Sequence, residues 1–563
     1  LKKPLIVVLS SIFMLSIVLA GCTSSKNEDT KAVSTEAASS TTKAPAVTVA
    51  PAGKPVSIKV FAQQDKDTDL KTNKFTKIIE NKFNIHFDWT TVPFDGAAEK
   101  RQISLASGDY PDLYLLIPWV DRFSQTDLLK FGEQGVILPL NDLIDQYGPN
   151  IKKALDGNKY YKAMNTAPDG KIYGLTGLNE CYHCSYPNKM WLNSNWMEKL
   201  KLPEPKTIED FKKVLEAFKT KDPNGNGKAD EVPLSGSTEA YGVHVIPYFM
   251  NGFIYDDDRT YLLLKDGKVD TAANKAEWKE GLAFIKSMYS EGLIDPGAFS
   301  QNAEAFKKIG DNADVQILGA GAGMHPWIFV ESAATAPYVK DYNPVAPLQG
   351  PHTDYATYNY PIDPGATFVL TNKASSEVQI AAIKMLDYLY TDEGSIDGIF
   401  GEEGKSWRKP NASEIALNDQ IQAQYATIAL EKGESPRNDM WGPMAQYNQY
   451  KAMRDAQVQG TDIYGADGYE RRLFQATKLY DGKEAKEVFP HWALWVDPTH
   501  ADEVNMMQTN IKDYIDQNAL QFVTGAKNLD KDWDAYVKGL DALNIKRYIE
   551  LMQASLDSST INK

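Results

Sequence analysis

The chain has 563 residues, 60 basic against 75 acidic, for a formal charge of −15 at neutral pH. That balance argues against nucleic acid or an anionic membrane surface as a partner held by charge, and the length exceeds one ordinary domain. Hydrophobic residues at 43% and aromatic residues at 11% are enough for packed cores with aromatic side chains to spare.

In chain order, Lys2 and Lys3 precede an apolar run from Leu5 to Leu19 that ends at Leu19-Ala20-Gly21-Cys22. The run is short for a bilayer span of about 20 residues. Small residues before a cysteine are what a lipoprotein signal peptidase requires. Residues 1–21 are therefore read as a signal peptide, and Cys22 as the site of lipidation, leaving the body on the extracytoplasmic face of the membrane. From Cys22 to Pro55 the chain is Ser, Thr, Ala, Lys and Pro, too poor in apolar surface to fold, and reads as a flexible tether.

The body opens β-α-β. Val56–Ala62 alternates as a strand, Asn73–Phe83 carries helical spacing, and Ile85–Val92 alternates again. A helix over Ala97–Ser107 leads to a strand over Leu113–Ile117, and Trp119 follows that strand's end. Such alternation indicates an α/β sheet that binds ligands beyond the carboxyl ends of its strands. Further helices are expected at Thr207–Thr220, Lys275–Glu291, Glu377–Tyr390, Glu414–Glu431, Arg437–Gln459, Ala501–Thr524 and Lys531–Ser555, with strands at Val315–Gly319 and Ala366–Leu370. The first of these helices carries a capping box, Thr207 to Asp210.

Cys181 and Cys184 form a C-x-x-C around His183. A second pair of zinc ligands and a thioredoxin-like context are both missing, so the readings are a local disulfide or free thiols, a staple for a ligand loop, or, least favoured, metal or redox chemistry. After the helix ending at Thr220, oxygen-bearing side chains fall at Asp222, Asn224, Asn226 and Asp230, with glycine at 225 and 227. A hard cation such as Ca²⁺ takes six to eight oxygens, and this spacing curls them round one point. The Lys228 carbonyl fills the gap in the series and Glu231 closes it. The last acid is at position 10 of the loop, whereas an EF-hand places its glutamate at position 12. The role expected is structural.

These features together make the chain resemble the extracellular solute-binding proteins of family 1, nearest their large Gram-positive lipoproteins and the alginate-oligosaccharide binders. The resemblance is carried by Leu105-Ala106-Ser107-Gly108-Asp109-Tyr110-Pro111-Asp112, by Trp191 to Leu200 with Pro203 and Thr207, and by the cation loop. Phe400-Gly401-Glu402-Glu403-Gly404 and the closing stretch from Trp533 to Asp557 complete it. Asn193 and Asn195 depart from the charged residues usual in the second motif. The resemblance implies a periplasmic-binding-protein-like α/β fold of two lobes with mixed sheets joined by crossing hinge segments, the second lobe helix-rich. Approximate boundaries are 56–175 with 345–400 for the first lobe, and 176–344 with 401–563 for the second. It also implies a monomer that closes on an oligosaccharide and docks on the permease of an ABC importer, with structural calcium and no catalysis.

A sugar offers apolar C–H faces and a rim of hydroxyls, so its site wants aromatic platforms beside amides and carboxylates. Aromatic residues on loops are the candidates: Trp119, Trp327 in a Gly-rich stretch, Tyr360, Trp407 and Trp191, with Glu180 and Asp363 as hydroxyl acceptors. Two other readings stand beside this one. A secreted polysaccharide-degrading enzyme would need two carboxylates flanking a scissile bond, and a peptide-binding or sensory lipoprotein would share the compartment.

Overall fold

The strand β1 (Val56–Gln63) alternates strictly, with Ile58, Val60 and Ala62 on one face and Phe61 on the other, and every one of these is buried. Both faces of its sheet must therefore be covered, as parallel sheets require. β1 pairs in parallel with β2 (Ile85–Val92) and with β3 (Leu113–Leu115). The strand Phe368–Leu370 adds an antiparallel edge beside β3, giving the order Phe368–Leu370, β3, β1, β2. On one face lie α1 (Lys74–Phe83) and the helix Ser376–Leu389, packing Phe75, Ile79, Ile383 and Leu386 on Ile58 and Val60. On the other lie α2 (Ala97–Ser107) and the helix Gln125–Glu133, against Phe61 and Tyr114. This is the first lobe.

The second lobe is built on a mixed sheet in the order Tyr342–Val345, Met190–Asn193, Leu318–Ala322, Val232–Ser235. The first two pairings are antiparallel and the last is parallel. One face packs against Ile208–Thr220, Ala276–Ser290 and the long helix Ala501–Thr524. The helix Ile208–Thr220 starts at the capping box expected, with Thr207 and Asp210 bonding each other's main chain. The other face encloses Trp191, Leu318, Phe329 and Tyr342.

The computed structural model describes residues 53–331, 336–431 and 433–561. The expected signal peptide, Cys22 and nearly all of the expected tether fall outside them. Among the described residues, no helix is long and apolar enough to cross a membrane. The chain passes between lobes several times. Residues 175–189 run alongside 359–368, with Asn359 N–H donating to the Ser185 carbonyl at 2.9 Å and Thr367 N–H to the Leu175 carbonyl at 2.9 Å. Trp492 and Trp495 dip back into the first lobe before the helix Ala501–Thr524 returns to the second.

Four expectations are corrected. Residues 414–431 are not helical: Tyr425 sits at the centre of a small separate core, and Ala426–Thr427 pairs as a strand with Trp407–Arg408. The reason is Arg471, which is buried and donates to the carbonyls of Ile415, Ala416 and Leu417, groups that a helix would have used internally, and also to those of Gln459 and Gly460. Residues 437–459 are broken by Gly442 at φ +55° and by Pro443, which has no N–H to give; only Lys451–Asp455 is α-helical. The stretch 531–555 is two helices, Leu529–Ala542 and Ile545–Ser558, parted at Asn544 with φ +62°. Finally, Trp441, Met444 and Ala445 join the core of the first lobe, although residues after 400 were expected in the second.

Candidate functional site

Where β3 ends, the chain turns through Ile117-Pro118-Trp119. Gln63, at the end of β1, accepts the Ile117 N–H on its side-chain oxygen at 2.6 Å. From α2, Arg101 makes a two-point ion pair with Asp121 at 2.7 and 3.0 Å and also donates to the Arg122 carbonyl at 3.1 Å. Both charges are buried, and the guanidinium lies 4.3 Å over the Phe123 ring. Removing one partner of such a pair costs about 3–5 kcal/mol, so the loop is held stiffly. The same loop leaves Trp119 67% exposed. The indole is thus held out of the core by a rigid support.

Trp119 stands between two grooves. The larger, of about 730 Å³, has Trp119 and Arg122 of the first lobe on one wall and His491, Asn505 and Tyr548 on the other. The smaller, of about 150 Å³, joins Trp119 to Asn179, Asp363, Gln446 and Tyr447. Asp363, on the crossing segment, lies between two arginines, 3.6 Å from Arg122 and 3.6 Å from Arg259. Arg122 belongs to the first lobe and also donates to the Pro118 and Pro364 carbonyls at 2.8 and 3.1 Å. Arg259 belongs to the second lobe, on a turn nested by the buried Asp257 carboxylate, which accepts the N–H groups of Arg259, Thr260 and Tyr261. Its guanidinium faces the Tyr241 ring at 5.8 Å. Asp363 thus stands at ion-pair distance from one arginine of each lobe. His491, beside it, is pushed down to about 4 by burial and is neutral at physiological pH.

The other expected residues divide. Trp327 lines a third groove and stacks on Tyr469 with ring centroids 3.4 Å apart. Trp191 is fully buried in the second sheet and donates to the Gly323 carbonyl at 2.9 Å. Trp407 is buried and donates to Asp397 at 2.9 Å. Neither ring has an open face here. Trp191 instead fixes the Gly-rich loop that carries Trp327, and Trp407 anchors the strand that presents Arg408. Tyr360 is buried against Trp492 and Tyr160. Glu180 accepts from Asn158 and from the Lys451 N–H, both at 2.7 Å, and lines a cavity of about 430 Å³ apart from Trp119. Sequence reasoning missed Arg122, Arg259, Asn179 and Tyr447. Arg122 had a signal, since it follows Trp119 by three residues in one loop.

Cys181 and Cys184 are joined by a disulfide, one of the readings left open. It closes a turn on the crossing segment, where His183 reaches Cys181 Sγ at 3.6 Å and Glu470 at 3.2 Å. Lys189 donates to the His183 and Tyr186 carbonyls beneath that turn, and burial pushes its ammonium down to about 7.

In the oxygen-rich loop, Asp222 accepts the N–H groups of Gly225, Asn226 and Gly227 at 2.9 to 3.1 Å. Asn224 and Asn226 donate to Asp230 at 3.0 and 2.9 Å, which holds that carboxyl below its usual range. Glu231 points inward with Oε1 enclosed and without a partner. Burial, then the charges of Asp222 and Asp230, raise its pKa. Asp222, Asp230 and Glu231, the last with an enclosed unpartnered oxygen, supply oxygens of the kind a hard cation takes.

The profile of the bacterial extracellular solute-binding proteins matches residues 68–396. The chain belongs to that family. Among curated relatives of this solute-binding protein, the fructooligosaccharide ABC transporter substrate-binding protein FusA of Streptococcus pneumoniae serotype 4 is 30% identical over 499 residues, 86% of this chain and 87% of that one. The polygalacturonan/rhamnogalacturonan-binding protein YtcQ of Bacillus subtilis is 24% identical over 220 residues, covering 39% of this chain and 41% of its own. The structure of FusA in complex with kestose superposes with a TM-score of 0.65 at 26% identity, over 90% of this chain and 100% of that one. An extracellular solute-binding protein from Bifidobacterium longum subsp. infantis, at 20% identity, shares the fold with a TM-score of 0.73 over 91% and 99%. The two-lobed architecture is that of these binding proteins.

Proposed function

We propose that this solute-binding protein captures an oligosaccharide in the cleft beside Trp119 and delivers it to the permease of an ABC importer, without altering it. The observation that carries the reading is an exposed indole on a rigid loop, flanked by a carboxylate, two arginines and side-chain amides drawn from both lobes. The indole offers its face to the C–H surface of a sugar ring, and Asp363, Asn179 and Tyr447 meet the hydroxyls. Binding is coupled to hinge closure at the crossing segments: ligand held by one lobe adds contacts to the other, so the closed population rises with differential affinity. The relatives FusA and YtcQ, named for binding glycans, support a saccharide ligand.

In this reading Cys22 carries a lipid that keeps the body on the extracytoplasmic face. Asp222, Asn224, Asn226, Asp230 and Glu231, with the Lys228 carbonyl, hold a structural Ca²⁺ that stiffens the turn after the helix Ile208–Thr220. A solved structure of a FusA EF-hand mutant lends support, since it shows that a relative has such a motif. The experiment is calorimetric titration with fructooligosaccharides and oligogalacturonides, followed by chromatography of the recovered ligand. Saturable binding with unchanged ligand supports the proposal. Shortened products would make the protein an enzyme, and binding of peptides with no response to either glycan would overturn it.

A further inference from the structure

The turn at Cys181–Cys184 lies on the crossing segment, between the strands Leu178–Asn179 and Met190–Asn193. Its backbone is pinned at three places. Cys181 N–H donates to the Asn179 carbonyl at 2.9 Å, Cys184 N–H to the Cys181 carbonyl at 3.2 Å, and Lys189 Nζ to the His183 carbonyl at 2.9 Å. On this fixed frame the Sγ atoms of both cysteines and a ring nitrogen of His183 lie within 4.8 Å of one another. Cys181 is buried, while His183 and Cys184 are half-buried, so the group meets solvent on one side.

The distances suit a metal centre. Zinc bonds of about 2.3 Å to sulfur and about 2.1 Å to nitrogen, opened at the tetrahedral angle, set the two ligand atoms about 3.6 Å apart. His183 Nε2 is 3.6 Å from Cys181 Sγ. The other ring nitrogen, Nδ1, is 3.2 Å from the carboxylate of Glu470, on the helix Tyr469–Lys478. A carboxylate there takes the Nδ1 proton and leaves the Nε2 lone pair facing the sulfur, as the orienting partner of a zinc-bound histidine does. A disulfide alone needs neither an imidazole at that distance nor a carboxylate behind it. The sequence lacks a second pair of zinc ligands, and the fold supplies in its place one imidazole and a support for it from a distant helix.

We propose that the Cys181–Cys184 turn, once reduced, is a zinc site: both thiolates and His183 Nε2 are the ligands, Glu470 orients the imidazole, and water takes the fourth place. A dithiol reductant opens it. Two electrons and two protons pass from the dithiol to the Cys181–Cys184 bond, whose sulfurs become thiols while the dithiol closes to a disulfide. Zn²⁺ then displaces the two thiol protons to solvent, and the metal charge cancels that of the thiolates. Thiolates beside an imidazole favour Zn²⁺ over the hard Ca²⁺ expected at 222–231. The metal thereby replaces the covalent staple and keeps the turn of the crossing segment closed under reducing conditions.

The test uses Cys22→Ser protein, which carries no third thiol, with Ca²⁺ in excess so that the oxygen-rich loop does not compete. The protein is reduced with dithiothreitol, freed of it under argon and titrated with Co²⁺, whose bonds to thiolate give a charge-transfer band. The reduced protein should take up one Co²⁺ with that band, Zn²⁺ should bleach it, and the oxidised protein should show none. Cys184→Ser and His183→Ala should each abolish stoichiometric uptake. Glu470 is a positioning residue. Glu470→Ala should lower Zn²⁺ affinity about 10- to 100-fold while the band returns at saturating Co²⁺, and Glu470→Gln, which keeps an acceptor for Nδ1–H, should recover part of the loss. No band in the reduced protein, or a band that Cys184→Ser and His183→Ala both leave intact, would overturn the site. Unchanged affinity in Glu470→Ala would overturn the part given to the carboxylate.

Discussion

Trp119→Ala separates binding from folding more cleanly than any other single change. The indole is 67% exposed, and the bonds that hold its loop, from Gln63, Arg101 and Arg122, do not involve it. Its removal should therefore change stability by no more than about 0.5 kcal/mol. An aromatic side chain buries about 200 Å² when fully enclosed, and about a third is already covered here. A sugar lying on one face hides roughly half the rest, about 65 Å², and loses a similar area of its own C–H surface. At ~25 cal/mol per Å² the contact contributes about 3 kcal/mol, and about 2 after allowing for partial collapse of the ligand onto the alanine. At ~1.4 kcal/mol per tenfold, affinity falls roughly 30-fold. Trp191→Ala is the contrasting control. Its fully buried ring and its bond to Gly323 put the loss at about 3–5 kcal/mol of stability. Thermal melts and calorimetric titration of both variants decide the matter. The reasoning is refuted if Trp119→Ala binds within about threefold of wild type, or melts as early as Trp191→Ala.

Excess chelator should lower the melting temperature of the wild type, and Asp222→Ala should lower it to the same value and abolish the response; equal melting with and without chelator in the wild type would remove the cation. Asp397 is pushed up to about 6 by burial, so the folded state holds a proton that the unfolded state has released between about pH 4 and 6. That contribution is present below pH 4 and is lost as pH rises through 6. Asp397→Asn should therefore match the wild type near pH 4 and exceed it in melting temperature at pH 7 and above; a pH-independent difference would contradict the assignment. Cys22→Ser should move the protein from the membrane fraction to the medium, and its retention in membranes would argue against a lipid anchor.

The first half of the fold was legible because local pattern and packing agree there. β2 and α2 begin and end where their periodicity predicts, and the helix Ala501–Thr524 does likewise, since each buries one regular face. Of the proposed site, the exposed place of Trp119 after a strand was legible, and so was the oxygen-rich turn at 222–231 from its spacing. The grouping of Arg122, Asp363 and Arg259 was not, because its three residues meet only after the chain has crossed between lobes twice. Trp191 and Trp407 looked alike in sequence to Trp119, yet their rings are enclosed by strands whose pairing was not visible in the sequence.

The deeper misreading, of residues 414–431 and 437–459 as helices, follows from the same physics that builds the cleft. Alanine, glutamine and glutamate in those stretches favour a helix locally, but Arg471 takes the carbonyls of Ile415, Ala416 and Leu417, and Pro443 interrupts the rest. Burying an arginine to hold irregular chain is costly unless the conformation itself is wanted. What it secures is the wall of the Trp327 groove, where Glu414, Ile415, Gln459 and Gly460 line the space. A helix would have turned these side chains to several sides, whereas extended segments set them along one edge. Local preference is overruled where the chain has to line a cleft, as expected when sequence-level rules give way at functional sites.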